Sequence, residues 1–215
     1  MIKKMKYRRY IIPLLVFAAC VFFKYSSQFS AAQSEPSVAG DLTHGDYEVL
    51  EGCSLVENRR NDGDSFYVKH ESGKTEFRLY FVDTPESAYK EYRNGENNGE
   101  RLDQQAKYFS INRKKAIEIG KKAKQFTQRL LQKHPFTIVT KWEGVYGPER
   151  RYGFVIVKYA GKPVYLHEIL VKEGLVRIHT KPTTLPSGRS GREQLKYLKK
   201  LEAKAEEKGL GAWAR

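Results

Sequence analysis

Cysteine is almost missing from this chain of 215 residues, which has only Cys20 and Cys53. Cys20 sits in an apolar stretch near the start and Cys53 stands alone in the body, so a disulfide within the body is excluded. No Cys or His pair has the spacing of a zinc site either. The simple reading of Cys53 is a small buried thiol on a strand. Long apolar runs are scarce as well. The longest, Ile11 to Phe23, is thirteen residues, short of the roughly 20 that a helix needs to cross a bilayer core. No internal repeat is found. Negative charge is also in deficit, with 25 Asp and Glu against 39 Lys and Arg. The first 32 residues hold six of those cations and no acid, and without them +8 of the net +14 remains. The excess fits two readings, a solvated lysine-rich surface or a polyanionic partner such as nucleic acid or an anionic membrane.

The order of features at the start is that of an export signal. Lys3, Lys4, Lys6, Arg8 and Arg9 precede the apolar run, and Ser30-Ala31-Ala32 supplies small residues for cleavage before Gln33. A signal peptide or membrane anchor is therefore expected over 1–32, with attachment through residues 10–25 left open, followed by a linker over 33–46. The protein is expected outside the cytoplasm, secreted or anchored by this segment. At this length one domain is expected, over 47–215.

Within that domain the stretch from Thr75 to Glu86 organises the rest. Phe77, Leu79 and Phe81 alternate with Glu76, Arg78 and Tyr80, as in a strand. Strict alternation would put Arg78 and Asp83 on opposite faces. Pro85 lacks an N–H and holds Thr84 extended, so the strand is expected to end near Val82 and let Asp83 and Glu86 turn back. Two strands are expected before it, Val49 to Val56 and Asp64 to Lys69. Residues 87–107, with Asn94-Gly95 and Asn97-Asn98-Gly99, read as a mobile surface loop. Ala116, Ile119, Ala123, Phe126 and Leu130 form the stripe of a helix that stops before Pro135. Strands over Phe136–Trp142 and Tyr152–Val157 follow, then a helix from about Val164 to Glu173. A last helix starts from the Ser190/Glu193 capping box. The order suits the α+β class: a five-stranded OB-type β-barrel with three helices.

Asp62-Gly63 reads as turn chemistry. Asp64 is one hairpin from Asp83, so their carboxylates can converge. Together with a carbonyl from the chain leaving the strand, they would suit a hard cation such as Ca²⁺. Pairing of each aspartate with a nearby Lys or Arg is the competing reading. Cleaving a phosphodiester requires neutralisation of phosphate, activation of water and stabilisation of growing charge. Guanidinium groups bind phosphate through two parallel hydrogen bonds, and a carboxylate can serve as general base. Arg78, Asp83 and Glu86 supply these types within nine residues, and Arg150 or Arg151 offers a second fork.

Four segments together resemble the staphylococcal nuclease, or thermonuclease, family. They are Asp62-Gly63-Asp64-Ser65, Phe77 to Glu86, Leu166 to Leu175, and Gly211-Ala212-Trp213, in matching order over about 47–213. The resemblance implies a Ca²⁺-dependent endonuclease acting on DNA and RNA, single strands preferred, as a monomer with no protein partner. Products would carry a 5′-hydroxyl and a 3′-phosphate. Asp64 and Asp83 would bind Ca²⁺ through carboxylates and Thr84 through its carbonyl. Glu86 would be the general base, and Arg78 and Arg151 would clamp the phosphate, with Arg150 the rival to Arg151. Ser65 stands where the family usually has threonine, and His179 and Thr180 lie where it has tyrosines. The alternative is a catalytically weak nucleic-acid-binding OB-fold module tethered to the membrane, for which the carboxylates at a phosphate site would have no use.

Overall fold

A computed structural model of the chain describes Val38, Leu42 and residues 44–146 and 149–214, within a unit spanning Val38–Arg215. The expected leader over 1–32 and most of the linker lie outside the described residues. Among those residues no helix is long and apolar enough to cross a membrane.

Alternating apolar residues produce the first three strands. These are β1 (Glu48–Leu55), β2 (Ser65–His70) and β3 (Gly73–Leu79), joined as an antiparallel meander with Ser65 opposite Arg78 and His70 opposite Gly73. After β4 (Val82–Asp83), the strands β5 (Phe136–Thr140), β6 (Arg150–Tyr159) and β7 (Lys162–Tyr165) complete the sheet in the order β3-β2-β1-β5-β6-β7. A parallel pairing of β3 with β6 closes five of these strands into a barrel, with Arg78 level with Tyr152. Phe66, Phe77, Leu79, Ile138 and Phe154 are fully buried in its core. Full burial of each such side chain contributes roughly 1.5–3 kcal/mol. The expected OB-type α+β barrel is therefore present.

Two details differ from the sequence reading, and both shape the site. The organising strand stops at Leu79 instead of near Val82. Phe81 has φ 69°, a left-handed backbone that a bulky residue adopts only at a cost of roughly 1–2 kcal/mol. Its ring is wholly buried and stacks on His167 at 5.5 Å, which offsets that cost. The reversal at Phe81, ahead of Pro85, brings β4 round to pair with β8 (Arg177–Ile178) and returns Asp83 to the face of Arg78.

The second difference is a helix within the stretch read as a loop: α1, Gly99–Tyr108, packs Leu102, Gln105 and Ala106 inward. The described helices are thus α1, α2 (Arg113–Lys133), α3 (Leu166–Lys172) and α4 (Gly191–Glu207), one more than the three expected. Asn112 caps α2 by accepting from Lys115 N–H, and the Ser190/Glu193 capping box starts α4 as the sequence suggests. The segment read as one helix from Val164 divides into the end of β7 and α3.

Candidate active site

Where β3, β4 and α1 meet, a cavity of about 710 Å³ opens at the barrel rim. Its floor is built by the ends of strands. Asp64, just before β2, and Asp83, in β4, are both buried. Arg78 joins them: Nη1 donates to Asp64 Oδ1 at 3.0 Å and Nη2 to Asp83 Oδ1 at 2.6 Å. Ser65 keeps its hydroxyl in this network, donating to Asp64 at 3.2 Å and accepting from Arg78 at 3.1 Å. The other oxygen of Asp64 accepts the Thr84 N–H at 2.5 Å. Burial works against the charge on Arg78, and the two carboxylates overcome it and raise its pKa.

Asp83 is surrounded by donors. Besides Arg78, Oδ1 accepts from Arg101 Nη2 at 2.5 Å, and Oδ2 accepts from Arg177 Nε at 2.7 Å and Gln105 Nε2 at 3.0 Å. Burial alone would favour the neutral acid, but Arg101, Arg78, Gln105 and Arg177 together hold its pKa below the ordinary value. Glu86 stands at the rim, where Oε1 accepts from Arg101 Nε at 2.9 Å and Oε2 lies 3.7 Å from Lys90 Nζ.

Asp62, read from the sequence as a turn residue, also lines the cavity. Burial first and then the neighbouring Asp64 charge push its pKa up to about 7. Gly63 lets this loop lie against α2. A Cβ there would come within 2.6 Å of the Thr84 methyl and 3.0 Å of Ala123 Cβ, and Thr127 of α2 donates to the Gly63 carbonyl at 2.8 Å.

The structure brings Asp64, Arg78, Asp83, Thr84 and Glu86 to one cavity. Arg151 is not among its lining residues, whereas Arg150 is. Successive strand residues point to opposite faces, so Arg150 and Tyr152 lie beside Glu76 and Arg78 on one face. Arg150 also donates to Glu76 at 2.8 Å. The sequence reading missed Arg101, Gln105 and Arg177. The spacing of Leu102, Ala106 and Phe109 at i, i+4 and i+7 was the available signal for the first two.

The donor types suit a hard cation: two carboxylates from Asp64 and Asp83 and the Thr84 carbonyl, with Glu86 beside them. Among the described residues, no three His, Cys, Asp or Glu side chains are grouped as a metal set. The oxygens of Asp64 and Asp83 instead accept from arginines, Gln105, the Ser65 hydroxyl and the Thr84 N–H, and the Thr84 carbonyl accepts from Gln105 at 2.9 Å. The cavity lining carries five cations (Arg60, Arg78, Lys90, Arg101 and Arg150) against four carboxylates (Asp62, Asp64, Asp83 and Glu86), a balance that admits a phosphate.

No curated protein matches the chain. A family model described as staphylococcal nuclease homologue matches residues 76–215, well over half of the sequence and all of the site except Arg60 and the Asp62–Ser65 turn. With a closed five-stranded barrel and carboxylates and guanidinium groups gathered at its rim, the chain belongs to the staphylococcal nuclease homologue family.

Proposed function

We propose that this protein is an exported, calcium-dependent phosphodiesterase that hydrolyses DNA and RNA. The supporting observation is the bridge from Arg78 to Asp64 and Asp83 on the floor of a solvent-open cavity. A surface that only bound nucleic acid would need positive charge and would be weakened by four carboxylates at the phosphate. Hydrolysis gives those carboxylates a use.

Arg78 and Arg150, on one face of the paired strands, hold the scissile phosphate through their guanidinium forks. Arg151, the clamp implied by the family resemblance, lies on the opposite face, and Arg150 takes its place in this reading. Glu86 accepts the proton of the attacking water, since among the described residues its Oε2 meets just the distant Lys90 ammonium. Asp64, Asp83 and the Thr84 carbonyl would hold Ca²⁺, which when bound supplies positive charge to the phosphate and acidity to water.

Among the described residues, two of the three exposed large aromatic residues, Tyr92 and Tyr146, line the mouth of this cavity. Tyr146 is 100% exposed. Faces placed this way suit stacking by unpaired bases, which supports single-stranded DNA or RNA as substrate. The basic and apolar order of the first 32 residues supports export, by secretion or anchoring.

The clamp is tested by comparing Arg150→Ala and Arg151→Ala on a single-stranded oligonucleotide. Arg150→Ala is expected to lower kcat/KM by at least about a hundredfold and Arg151→Ala to have little effect. The reverse result would return the role to Arg151.

A further inference from the structure

Two of the groups that a cation would need, the Asp83 carboxylate and the Thr84 carbonyl, are held by one helix. From α1, Arg101 donates to Asp83 at 2.5 Å and to Glu86 at 2.9 Å. One turn later, the Gln105 amide donates to Asp83 at 3.0 Å and to the Thr84 carbonyl at 2.9 Å, and its oxygen accepts the Glu86 N–H at 2.9 Å. Two residues of α1 thus engage Asp83, one of the two carboxylates assigned to metal, and the Thr84 carbonyl, together with both ends of the assigned base. Arg78 and Arg177 neutralise Asp83 without either of them. A divalent ion on Asp83 and Thr84 would compete with Gln105 for the same lone pairs and repel the Arg101 charge.

The helix is docked in a way that allows release. Its N-cap residue, Asn98, makes no side-chain cap hydrogen bond, and among the described residues Asn97 Oδ1 alone accepts from the first turn, from Gly99 N–H at 2.9 Å. Leu102 and Ala106 are buried but lie outside the continuous apolar cluster of the barrel, which α1 meets through its last residue, Tyr108. Its outer tie to α2 is an exposed ion pair, Asp103 with Arg113 at 2.6 Å, a type that contributes little. The Arg101 side chain itself is 42% exposed, so it reaches the site from solvent instead of being locked in the core.

We propose that α1 is a latch on the cation site: docking of Arg101 and Gln105 and binding of a divalent cation exclude one another. Apparent cation affinity is then reduced by the fraction of molecules in which α1 is docked. This inference rests on the calcium reading above, and it adds that the chain carries its own competitor for the ion. It also couples the base to the metal, because the guanidinium that leaves Asp83 also leaves Glu86.

The test measures binding, not turnover. Ca²⁺ is titrated calorimetrically into the full-length protein, with Tb³⁺ luminescence as a second probe, for wild type, Arg101→Gln and Leu102→Ala. Arg101→Gln removes the competing charge. Leu102→Ala loosens the docked helix without touching a ligand atom. Both are expected to tighten Ca²⁺ binding, Arg101→Gln on the order of tenfold, the worth of one charge-assisted hydrogen bond. In wild type, Ca²⁺ is expected to speed amide hydrogen exchange over residues 99–108. Equal affinities in all three proteins, or slower exchange there with Ca²⁺, overturn the latch and leave the calcium reading standing. Tighter binding by Arg101→Gln alone, with Leu102→Ala and the exchange unchanged, makes Arg101 a fixed charge and also overturns the latch. If none of the three binds Ca²⁺ or Tb³⁺, the calcium reading falls and the latch falls with it.

Discussion

Arg177 and Asp83 face each other across β8 and β4, and Arg177 Nε donates to Asp83 Oδ2 at 2.7 Å with both side chains buried. This pair fixes the short two-stranded sheet that carries Asp83, so it acts on stability as well as on the site. Arg177→Met keeps the bulk and removes the charge. It is expected to cost roughly 1.5–3 kcal/mol, the range for hydrogen bonds to charged groups, because Arg78 and Arg101 still compensate Asp83. Urea denaturation of the two proteins checks this, and an unchanged midpoint would contradict it.

The approach of α2 to the site predicts an inverted glycine effect. A Cβ on Gly120 would lie 2.4 Å from the Pro85 carbonyl and 2.6 Å from that of Glu86. In an exposed helix interior, glycine to alanine stabilises by roughly 1 kcal/mol. Here Gly120→Ala is expected to destabilise and to lower kcat by displacing Glu86. Thermal melting and single-turnover rates measure both.

These two positions show what the sequence could and could not convey. The barrel strands were legible because Phe77 and Leu79 report burial through period-two alternation and Phe154 to Val157 form a short continuous apolar run. The last helix was legible from Ser190 and Glu193. Helix α1 was not, since the Asn-Gly pairs before it look like loop and its buried face includes the polar Gln105. The convergence of Asp64 and Asp83 was foreseeable from one hairpin. The left-handed turn at Phe81 that completes it was not, because a phenylalanine gives no local sign of positive φ. Arg177 is distant in sequence, and only the β4–β8 pairing reveals its partner. The choice between Arg150 and Arg151 depended on the strand phase, which a one-residue shift reverses.

A pH effect on stability follows from His167. It is buried against Phe81 and Phe154, and its Nε2 lies 2.9 Å from Gln194 Nε2. Burial, aided by the Arg189 charge, lowers its pKa from 6.5 to about 3. The folded value lies below the unfolded one, so the stabilisation is complete above about pH 6.5 and is lost as pH falls toward 3. The loss is on the order of 5 kcal/mol at the acid end. His167→Gln removes this titration, so its stability is expected to depend less on pH across that window than that of wild type. Parallel curves from denaturant titrations at several pH values would contradict the assignment.

The aromatic mouth predicts a split between binding and chemistry. Tyr92→Ala and Tyr146→Ala each remove a stacking face worth roughly 1–3 kcal/mol. Each is expected to raise KM for single-stranded oligonucleotides about tenfold or more, with kcat nearly unchanged and little effect on duplex cleavage. Equal losses on both substrates would mean that neither ring stacks on bases.

The most direct measurement is cleavage of single-stranded DNA by the purified protein with Ca²⁺ and then with EDTA, for wild type and Glu86→Gln. The account predicts cutting in Ca²⁺ that stops in chelator. It also predicts a loss of several orders of magnitude in Glu86→Gln with its thermal melting unchanged. Cutting that persists in EDTA, or survives undiminished in Glu86→Gln, would contradict it.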